Sequence, residues 1–323
     1  MPRLLLLTVL LFAAVLSAPA PASAATSSFP VIGFGEQRPG IFDNQYWNEL
    51  GLRDVRLLVG WDALRYKWQR REIDYWMDEA RQSNARVLVA FSRSRAPWRR
   101  KMLPTPKQFE AQFLRFRERY PDVEQFISWN EANHCSQPTC NRPDRAAQYF
   151  DVIADACSYC AVVAADVLDT TDMVDWLKEF RRNARNTPKI WGLHNYIDAN
   201  RFRTSGTRAL LRVTRGKVWF TETGGIVRRR TKVKVPLDES REHAARATAW
   251  VFDQLVPLSR RITRVYVYHW NRPKGPVSWD SALIGPTGKP RPALEVVRRE
   301  LERVQAAARR AARRAAARRA AKR

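Results

Sequence analysis

The sequence FISWNEAN, residues 126–133, begins as a short apolar run of β type and continues into the pair Asn130-Glu131. A second stretch, VWFTETGG at residues 218–225, repeats this arrangement and carries Glu222 near its end. Each stretch predicts a carboxylate where a buried strand opens into a loop. A glutamate at a loop start is common, so the pair becomes informative only through the repeat in which it lies.

That repeat consists of apolar, β-branched runs, each followed by apolar residues at helical spacing. The runs begin near Val31, Val55, Arg86, Gln125, Ala161, Lys189, Lys217 and Arg264. Helical faces between them include Ile73, Trp76, Met77 and Ala80, then Phe109, Phe113 and Phe116, then Met173, Leu177 and Phe180, and later Ala247, Trp250, Val251 and Leu255. Strands alternating with helices in this way predict an α/β protein, a single (β/α)8 TIM barrel. A doubly wound open sheet is disfavoured because no glycine-rich phosphate turn follows the first strand.

The chain divides into three parts by composition. Residues 1–24 combine Arg3, an apolar run and Ala22-Ser23-Ala24, the pattern of a cleaved secretory signal peptide; the alternative is an uncleaved N-terminal anchor. Residues 25–300 form the predicted barrel, and residues 301–323 form a basic tail rich in Ala and Arg that is helical or disordered. We therefore expect a protein that is secreted or associated with the cell envelope, monomeric and without a transmembrane span.

The charge of the 323-residue chain is strongly positive, formally +25. Without Arg3 and the eight basic residues after Gln305 it is still +16, so much of the excess belongs to the folded body. The excess has two interpretations: a coding bias with solvated helix faces, or attraction to polyanions. For the tail the alternatives are a solvated, frayed extension and an anchor on an anionic polymer of the cell envelope. We expect no specific nucleic acid partner.

In a (β/α)8 barrel the C-terminal ends of all strands meet on one face, where the loops build the site. Glu131 and Glu222 are therefore predicted to face each other across the barrel mouth. Two such carboxylates are what glycoside hydrolysis needs, one to transfer a proton and one to attack the anomeric carbon. The alternative is an ion-paired rim without chemistry. Other polar or aromatic residues predicted at strand ends are Glu36, Arg56, Trp61, Ser92, Asp166, His194, Asn195, Tyr196, His269, Trp270 and Asn271.

An Asn-Glu pair that ends strand four and a Glu that ends strand seven resemble the clan A, or 4/7 superfamily, of retaining glycoside hydrolases, in particular its small single-domain members. The resemblance extends to Arg56 on strand two, His194 and Tyr196 on strand six, and Trp270 on strand eight. It departs from the clan at Ala132, where a proline is usual after Asn-Glu.

The resemblance implies a role for each of these residues. Glu222 is the expected nucleophile and Glu131 the acid/base, whose pKa must be raised for it to stay protonated near neutral pH. Arg56 supports the nucleophile, Asn130 binds the sugar 2-hydroxyl, and Trp270 floors the sugar subsite. His194 and Tyr196 lie near the nucleophile, where they serve either as catalytic support or as ordinary packing of the rim. The implied ligand is an oligo- or polysaccharide, with no cofactor and no metal. A sugar-binding barrel without turnover, held to anionic cell-surface polymers, is the competing function.

The four cysteines form two close pairs, Cys135 with Cys140 and Cys157 with Cys160. Such spacing also occurs in zinc knuckles. However, export favours disulfides, and a predicted helix of about 20 Å separates the two pairs. We therefore predict two local disulfides.

Two loops that leave the predicted catalytic face are rich in cations: RSRAPWRRK at residues 93–101 and RRRTK at residues 228–232. Together they suggest an anionic substrate, because clustered charge raises the local concentration of an oppositely charged ligand. Pairing of these arginines with nearby acids, or the general excess of arginine, would explain them equally well.

Overall fold

The computed structural model describes residues 29–230, 238–272 and 274–321. Eight parallel strands close into a barrel, with the first strand paired to both the second and the last. In chain order they are β1 Val31–Gly35, β2 Asp54–Gly60, β3 Arg86–Ser92, β4 Gln125–Ile127, β5 Ala161–Leu168, β6 Ile190–His194, β7 Lys217–Thr223 and β8 Ile262–Tyr268. The predicted (β/α)8 fold is confirmed. The signal peptide assigned to residues 1–24 lies outside the described residues.

Helices follow the strands and cover the barrel. They are α1 Gln45–Glu49, α2 Lys67–Gln82, α3 Pro106–Arg119, α4 Pro143–Ala156, α5 Met173–Asn183, α6 Tyr196–Asn200, α7 Ser205–Val213, α8 Arg241–Trp250 and α9 Pro292–Ala320. Their apolar faces pack on the outward side chains of the strands: Ile73, Trp76, Met77 and Ala80 of α2 are all buried, as are Phe109, Phe113 and Phe116 of α3. This burial is the main force that closes the barrel.

The strand that carries the first stretch is short, yet the chain beyond it stays fixed to its neighbours. The backbone N–H of Asn130 donates to the carbonyl of Phe91 at 2.7 Å, and that of Ala132 donates to the carbonyl of Asp166 at 2.8 Å. Between them Glu131 has a φ of 46°, in the left-handed region that few non-glycine residues adopt. Such strain persists where the surroundings enforce it, which is frequent at functional sites.

Both predicted disulfides are present. Cys135–Cys140 closes a turn in the loop after β4, and Cys157–Cys160 closes the turn between α4 and β5. The two bridges lie at opposite ends of α4, as expected from the length of that helix. In the described part of the chain, no helix has the length and apolar character needed to cross a membrane.

The basic tail extends α9. The first turns of this helix are anchored by Leu294 and Val297, which are buried, and by Leu301 and Val304, which are half-buried against the core. From Ala308 to Ala321 every residue is exposed. The helix therefore runs without a break from the barrel into the tail.

Candidate active site

Glu131 and Glu222 meet at the barrel mouth, where the sequence predicts them. Glu222 is the penultimate residue of β7, and Glu131 lies just beyond the end of β4. One carboxylate oxygen of each and one ring nitrogen of His194 lie within 4.8 Å of one another. Two carboxyl groups about 5 Å apart leave no room for a water molecule behind a bound sugar.

The guanidinium of Arg56 binds Glu222 and connects it to Asp166 and Asn130. It donates from Nη1 to Glu222 Oε1 at 2.5 Å and from Nη2 to Asp166 Oδ2 at 2.8 Å, and Nη2 also contacts the amide oxygen of Asn130. Arg56 is fully buried, so these charge-assisted contacts are shielded from water. Because the amide oxygen of Asn130 is used in this way, its Nδ2 is the polar atom left to offer a hydrogen bond to a ligand.

Asp166, near the C-terminal end of β5, connects Arg56 to His194. Its carboxylate lies 3.2 Å from His194 Nε2 and accepts a hydrogen bond from Thr221 Oγ1 at 2.5 Å. Burial alone would raise the pKa of Asp166, but the charges of Arg56 and His194 outweigh burial and lower it. Gly192 faces this carboxylate, and a Cβ there would lie 1.9 Å from Asp166 Oδ1. The sequence places Asp166 at a strand end but gives it no role.

His194 is held in its charged form. Burial disfavours the charge, but the neighbouring carboxylates of Glu222 and Asp166 and a hydrogen bond with Glu131 raise the pKa of His194 to about 10. A doubly protonated ring has no lone pair for a metal. Glu131, His194 and Glu222 lie close enough to hold a cation, but as the structure has them they form an ion-paired cluster instead.

The pKa of Glu131 differs from the expectation. Burial acts to raise it, but the hydrogen bond to His194 at 3.3 Å and the charge of that ring lower the pKa of Glu131 below its usual range. The predicted raised pKa is therefore wrong for the site without ligand. The physical reason is that three carboxylates keep His194 protonated, and its charge then stabilises ionised Glu131.

Tyr196, the first residue of α6, donates its hydroxyl to Glu222 Oε2 at 3.3 Å. Burial and the charge of Glu222 raise the pKa of Tyr196 well above its usual value, so the phenol keeps its proton. The structure thus brings Arg56, Asn130, His194 and Tyr196 around the two glutamates.

Trp270 does not belong to this group. Its ring is completely buried, edge-on to Phe34 at 4.9 Å and to Trp47 at 5.9 Å, so it offers no surface to a sugar. The predicted role of Trp270 as a subsite floor is wrong because the ring turns into the core beside β1. A different tryptophan, Trp279, lies near the site: it is half-buried and edge-on to Tyr196 at 4.9 Å.

Trp279 belongs to a two-stranded ribbon, Trp279–Asp280 paired with Arg228–Arg229, that lies next to β7 and β8. No periodic signal marks this ribbon, so sequence reasoning missed it. The only cue is a tryptophan in a loop that follows the last strand.

The cationic loops are partly neutralised. Arg95 pairs with Glu72 at 2.6 Å, Arg99 pairs with Asp62 at 2.7 Å, and Arg228 lies 3.9 Å from Glu239. Thr231 and Lys232, in the second loop, lie outside the described residues. Pairing with nearby acids therefore accounts for part of the arginine excess at this face.

No protein-family model matches the chain, and no curated protein matches it. Solved structures do. An endo-1,4-β-xylanase from Caldicellulosiruptor owensensis superposes with a TM-score of 0.58 and 14% identity, over 84% of this chain and 97% of that chain. A monomeric β-xylosidase from Caulobacter crescentus CB15 gives a TM-score of 0.54 and 14% identity, over 84% and 68%. A fungal β-1,4-galactanase gives 0.58 and 12%, over 80% and 89%. At these identities the likeness is one of fold: the chain shares the eight-stranded parallel barrel of these glycosidases.

Proposed function

We propose that this protein is a retaining glycoside hydrolase that cleaves O-glycosidic bonds by double displacement. The observation that carries the proposal is the approach of the Glu131 and Glu222 carboxylates, with oxygens within 4.8 Å at the mouth of a (β/α)8 barrel. Inverting enzymes separate their two carboxyl groups by roughly 6.5–9.5 Å, so this spacing supports retention. That the solved glycosidases above share the fold agrees with the proposal.

In the first step Glu222 attacks the anomeric carbon, and the bond to the leaving oxygen breaks as Glu131 gives that oxygen a proton. Arg56 and Tyr196 each bind one oxygen of Glu222, which orients the carboxylate and leaves a lone pair on each oxygen free for attack. The Nδ2 of Asn130 donates to the 2-hydroxyl, a contact that strengthens in the transition state.

In the second step Glu131, now ionised, takes a proton from water as the water oxygen attacks the anomeric carbon; the bond from that carbon to Glu222 breaks and the carboxylate of Glu222 is released. The charge of His194 favours ionised Glu131, so the structure without ligand is electrostatically prepared for this step. The same charge opposes the first step, for which Glu131 must be protonated.

A screen of aryl glycosides and polysaccharides tests the proposal directly. Xylosides, galactosides, xylan and galactan are a natural start, because neighbours of the same fold act on such substrates by their names. Glu222→Ala is the matched control, since any hydrolysis that survives in it comes from a contaminant. If the wild-type protein hydrolyses none of these substrates, the proposal is wrong.

A pH dependence follows from the Glu131–His194 contact. The lowered pKa of Glu131 means that its acid form is lost as pH rises through that value, so kcat/KM should be greatest at acid pH and fall by about tenfold per unit above it. In His194→Gln the ring charge is gone while burial and Glu222 remain, so the pKa of Glu131 rises. The basic limb of the kcat/KM profile should then move to higher pH.

Tyr196→Phe is the control for this shift. Tyr196 contacts Glu222 and not Glu131, so its loss should lower the rate without moving the basic limb. An unchanged limb in His194→Gln would show that His194 does not set the protonation of Glu131.

The second candidate, a sugar-binding barrel without turnover, is favoured by one observation: the lowered pKa of Glu131 deprives the site without ligand of its acid. The screen separates the two functions. Saturable binding of an oligosaccharide by the wild-type protein, with no product formed at any pH, would select the binding module.

Export and the basic tail are further parts of the proposal. We propose a secreted or envelope-associated protein, supported by the two disulfides, with α9 beyond Ala308 as an electrostatic anchor on an anionic envelope polymer. In the described part of this segment Arg309, Arg310, Arg313, Arg314, Arg318 and Arg319 are all exposed.

Deleting residues 306–323 should weaken salt-sensitive retention on a polyphosphate or heparin matrix, so that the protein elutes at lower salt, and leave the melting temperature unchanged, because the deleted helix is largely exposed. Exchanging the tail arginines for lysine should preserve retention, whereas exchange for glutamine should weaken it as much as deletion does, since the positive charge of the tail is the source of the affinity. Elution at the wild-type salt concentration after deletion would assign the anchoring to the barrel.

A further inference from the structure

A cavity of about 880 Å³ lies between the segment that follows β1, the strands β2 and β3 with the loop after β3, and the first half of α2. Its walls combine aromatic rings with guanidinium groups. Trp68 and Tyr75 supply the rings and are 44% and 56% exposed. A concave surface of this size, with exposed rings and a few convergent polar groups, is typical of a ligand site.

The charge of this cavity is strongly unbalanced. Its lining includes Arg38, Arg93, Arg95 and Arg100, against one carboxylate, that of Glu72. Glu72 is engaged by Arg95 at 2.6 Å, and the Arg95 guanidinium also lies over the ring of Trp68. Arg38 donates to the carbonyl of Asn271 at 2.6 Å and lies 3.6 Å from Glu36.

In the part of the chain that the structure describes, no carboxylate binds Arg93 or Arg100 directly. Arg93 donates to the carbonyl of Ser136, a neutral partner. Within the described residues, neither Arg93 nor Arg100 forms an ion pair. Both guanidinium groups line the same cavity, and burial together with the charge of Arg100 lowers the pKa of Arg93. Like charges held together without an acid lower their free energy by binding an anion.

The cavity is connected to the catalytic pair. The charge of Glu131 acts on Arg93 in opposition to burial. Leu58, which lines the cavity, lies two residues beyond Arg56 on β2, and alternation places both side chains on the inner face of the barrel. Ser92 contacts Gln137, which also accepts a hydrogen bond from Trp129, the neighbour of Asn130. A saccharide that spans the barrel mouth therefore reaches both places.

We propose that this cavity is a subsite for a sugar unit that carries an oxyanion, a carboxylate or a sulfate, next to the sugar that is cleaved. Arg93 and Arg100 bind the oxyanion, and the exposed face of Tyr75 packs against a sugar ring. The inference rests on the proposed glycosidase function and adds the substrate class: an anionic glycan.

The second cationic loop does not supply this site. Arg228 and Arg229 belong to the ribbon with Trp279–Asp280, where the guanidinium of Arg229 lies over the Trp279 ring and the carboxylate of Glu239 is nearby. None of these residues lines the cavity. Arg230, the next residue, does not line the cavity either, so Arg228 and Arg230 are suitable for a control that removes the same charge at the same face.

Binding to the Glu222→Gln variant tests the subsite, because this variant can retain a saccharide without cleaving it. Calorimetry would compare three probes: a uronate oligosaccharide, the same oligosaccharide after carboxyl reduction, and a sulfated form of the reduced one. The uronate or the sulfated probe should bind at least about tenfold more tightly than the neutral one. Arg93→Ser with Arg100→Ser should abolish that preference, since a charge-assisted contact commonly changes affinity by about tenfold or more.

The control is Arg228→Ser with Arg230→Ser in the same background, which should keep the preference. Tight binding of both anionic probes assigns recognition of charge in general, and tight binding of the uronate alone assigns a planar carboxylate. If charged and neutral probes bind with equal affinity, the proposed subsite is wrong. It is also wrong if the control variant loses the preference for anionic probes to the same extent as Arg93→Ser with Arg100→Ser.

The two proposals fail separately. If the wild-type protein hydrolyses neutral glycosides and shows no preference for anionic ones, the glycosidase stands and the subsite is wrong. If anionic probes bind through Arg93 and Arg100 but no glycoside is cleaved, the cavity stands as a binding site and the glycosidase is wrong.

Discussion

Glu222→Gln should lower turnover by about 10⁴-fold or more, because the nucleophile acts as one unit with its neighbours. Glu131→Gln should lower it by about 10²–10⁴-fold, the usual contribution of a general acid. In both variants the glutamine side chain has nearly the same shape as the glutamate that it replaces. Arg56 still pairs with Asp166 in the Glu222 variant, so the melting temperature should change little. Steady-state kinetics on an activated aryl glycoside and a thermal melt measure the two quantities.

Azide separates the two roles in the alanine variants. In Glu222→Ala azide can enter from the side of the missing nucleophile, so the product should be a glycosyl azide of inverted configuration. In Glu131→Ala the glycosyl ester still forms with a good leaving group, and azide opens it to a product of retained configuration. Product configuration by NMR decides the assignment. Wild-type rates in either variant would contradict it.

The sequence was sufficient to predict the barrel and the positions of both glutamates. The reason is geometric: parallel strands joined by helices carry all their C-terminal ends to one face, so two residues far apart in sequence converge once the fold is known. The positions of Glu131 and Glu222 could be predicted without knowing which side chains they contact. The same reasoning brought Arg56, His194 and Tyr196 to the site.

Side chains just beyond a strand end escape this reasoning. Trp270 follows the end of β8, where strand alternation no longer fixes the direction of a side chain. Whether its ring faces the mouth or the core depends on the space that Phe34 and Trp47 leave beside it. The ribbon that carries Trp279 forms only through pairing with a distant loop.

Electrostatics were the least predictable feature, because each charge depends on partners on other strands. Glu131 is ionised because His194 is protonated, and His194 is protonated because Asp166 and Glu222 flank it. These residues come from β5, β6, β7 and the loop after β4. No local pattern in the sequence shows that the protonation of one of these residues depends on the others.

Arg56 is central to this network, and its loss is the second large effect that we expect. Arg56→Met replaces the buried guanidinium with an apolar chain and leaves Asp166 and Glu222 with His194 as their remaining cation. Removing one partner of a buried ion pair commonly costs about 3–5 kcal/mol of unfolding free energy. Urea unfolding at neutral pH should show a loss of that size, together with loss of activity. Arg56→Lys keeps the charge without the planar fork and should lose less.

The pH dependence of this loss identifies its cause. In the wild-type protein the pKa of Asp166 is lowered, so Asp166 stabilises the fold above its unfolded pKa and this contribution is lost as pH falls. In Arg56→Met the first of the charges that lower the pKa of Asp166 is gone while burial remains, so we expect this pKa to rise and Asp166 to take up a proton at higher pH than in the wild-type protein. The gap in stability between the two proteins should therefore narrow as pH falls toward about 4, the unfolded pKa of an aspartate. Adding Asp166→Asn to Arg56→Met should recover part of the loss at neutral pH, because the uncompensated charge is gone. A gap that is constant with pH, or a double variant no more stable than Arg56→Met, would show that lost packing and not the buried charge is responsible.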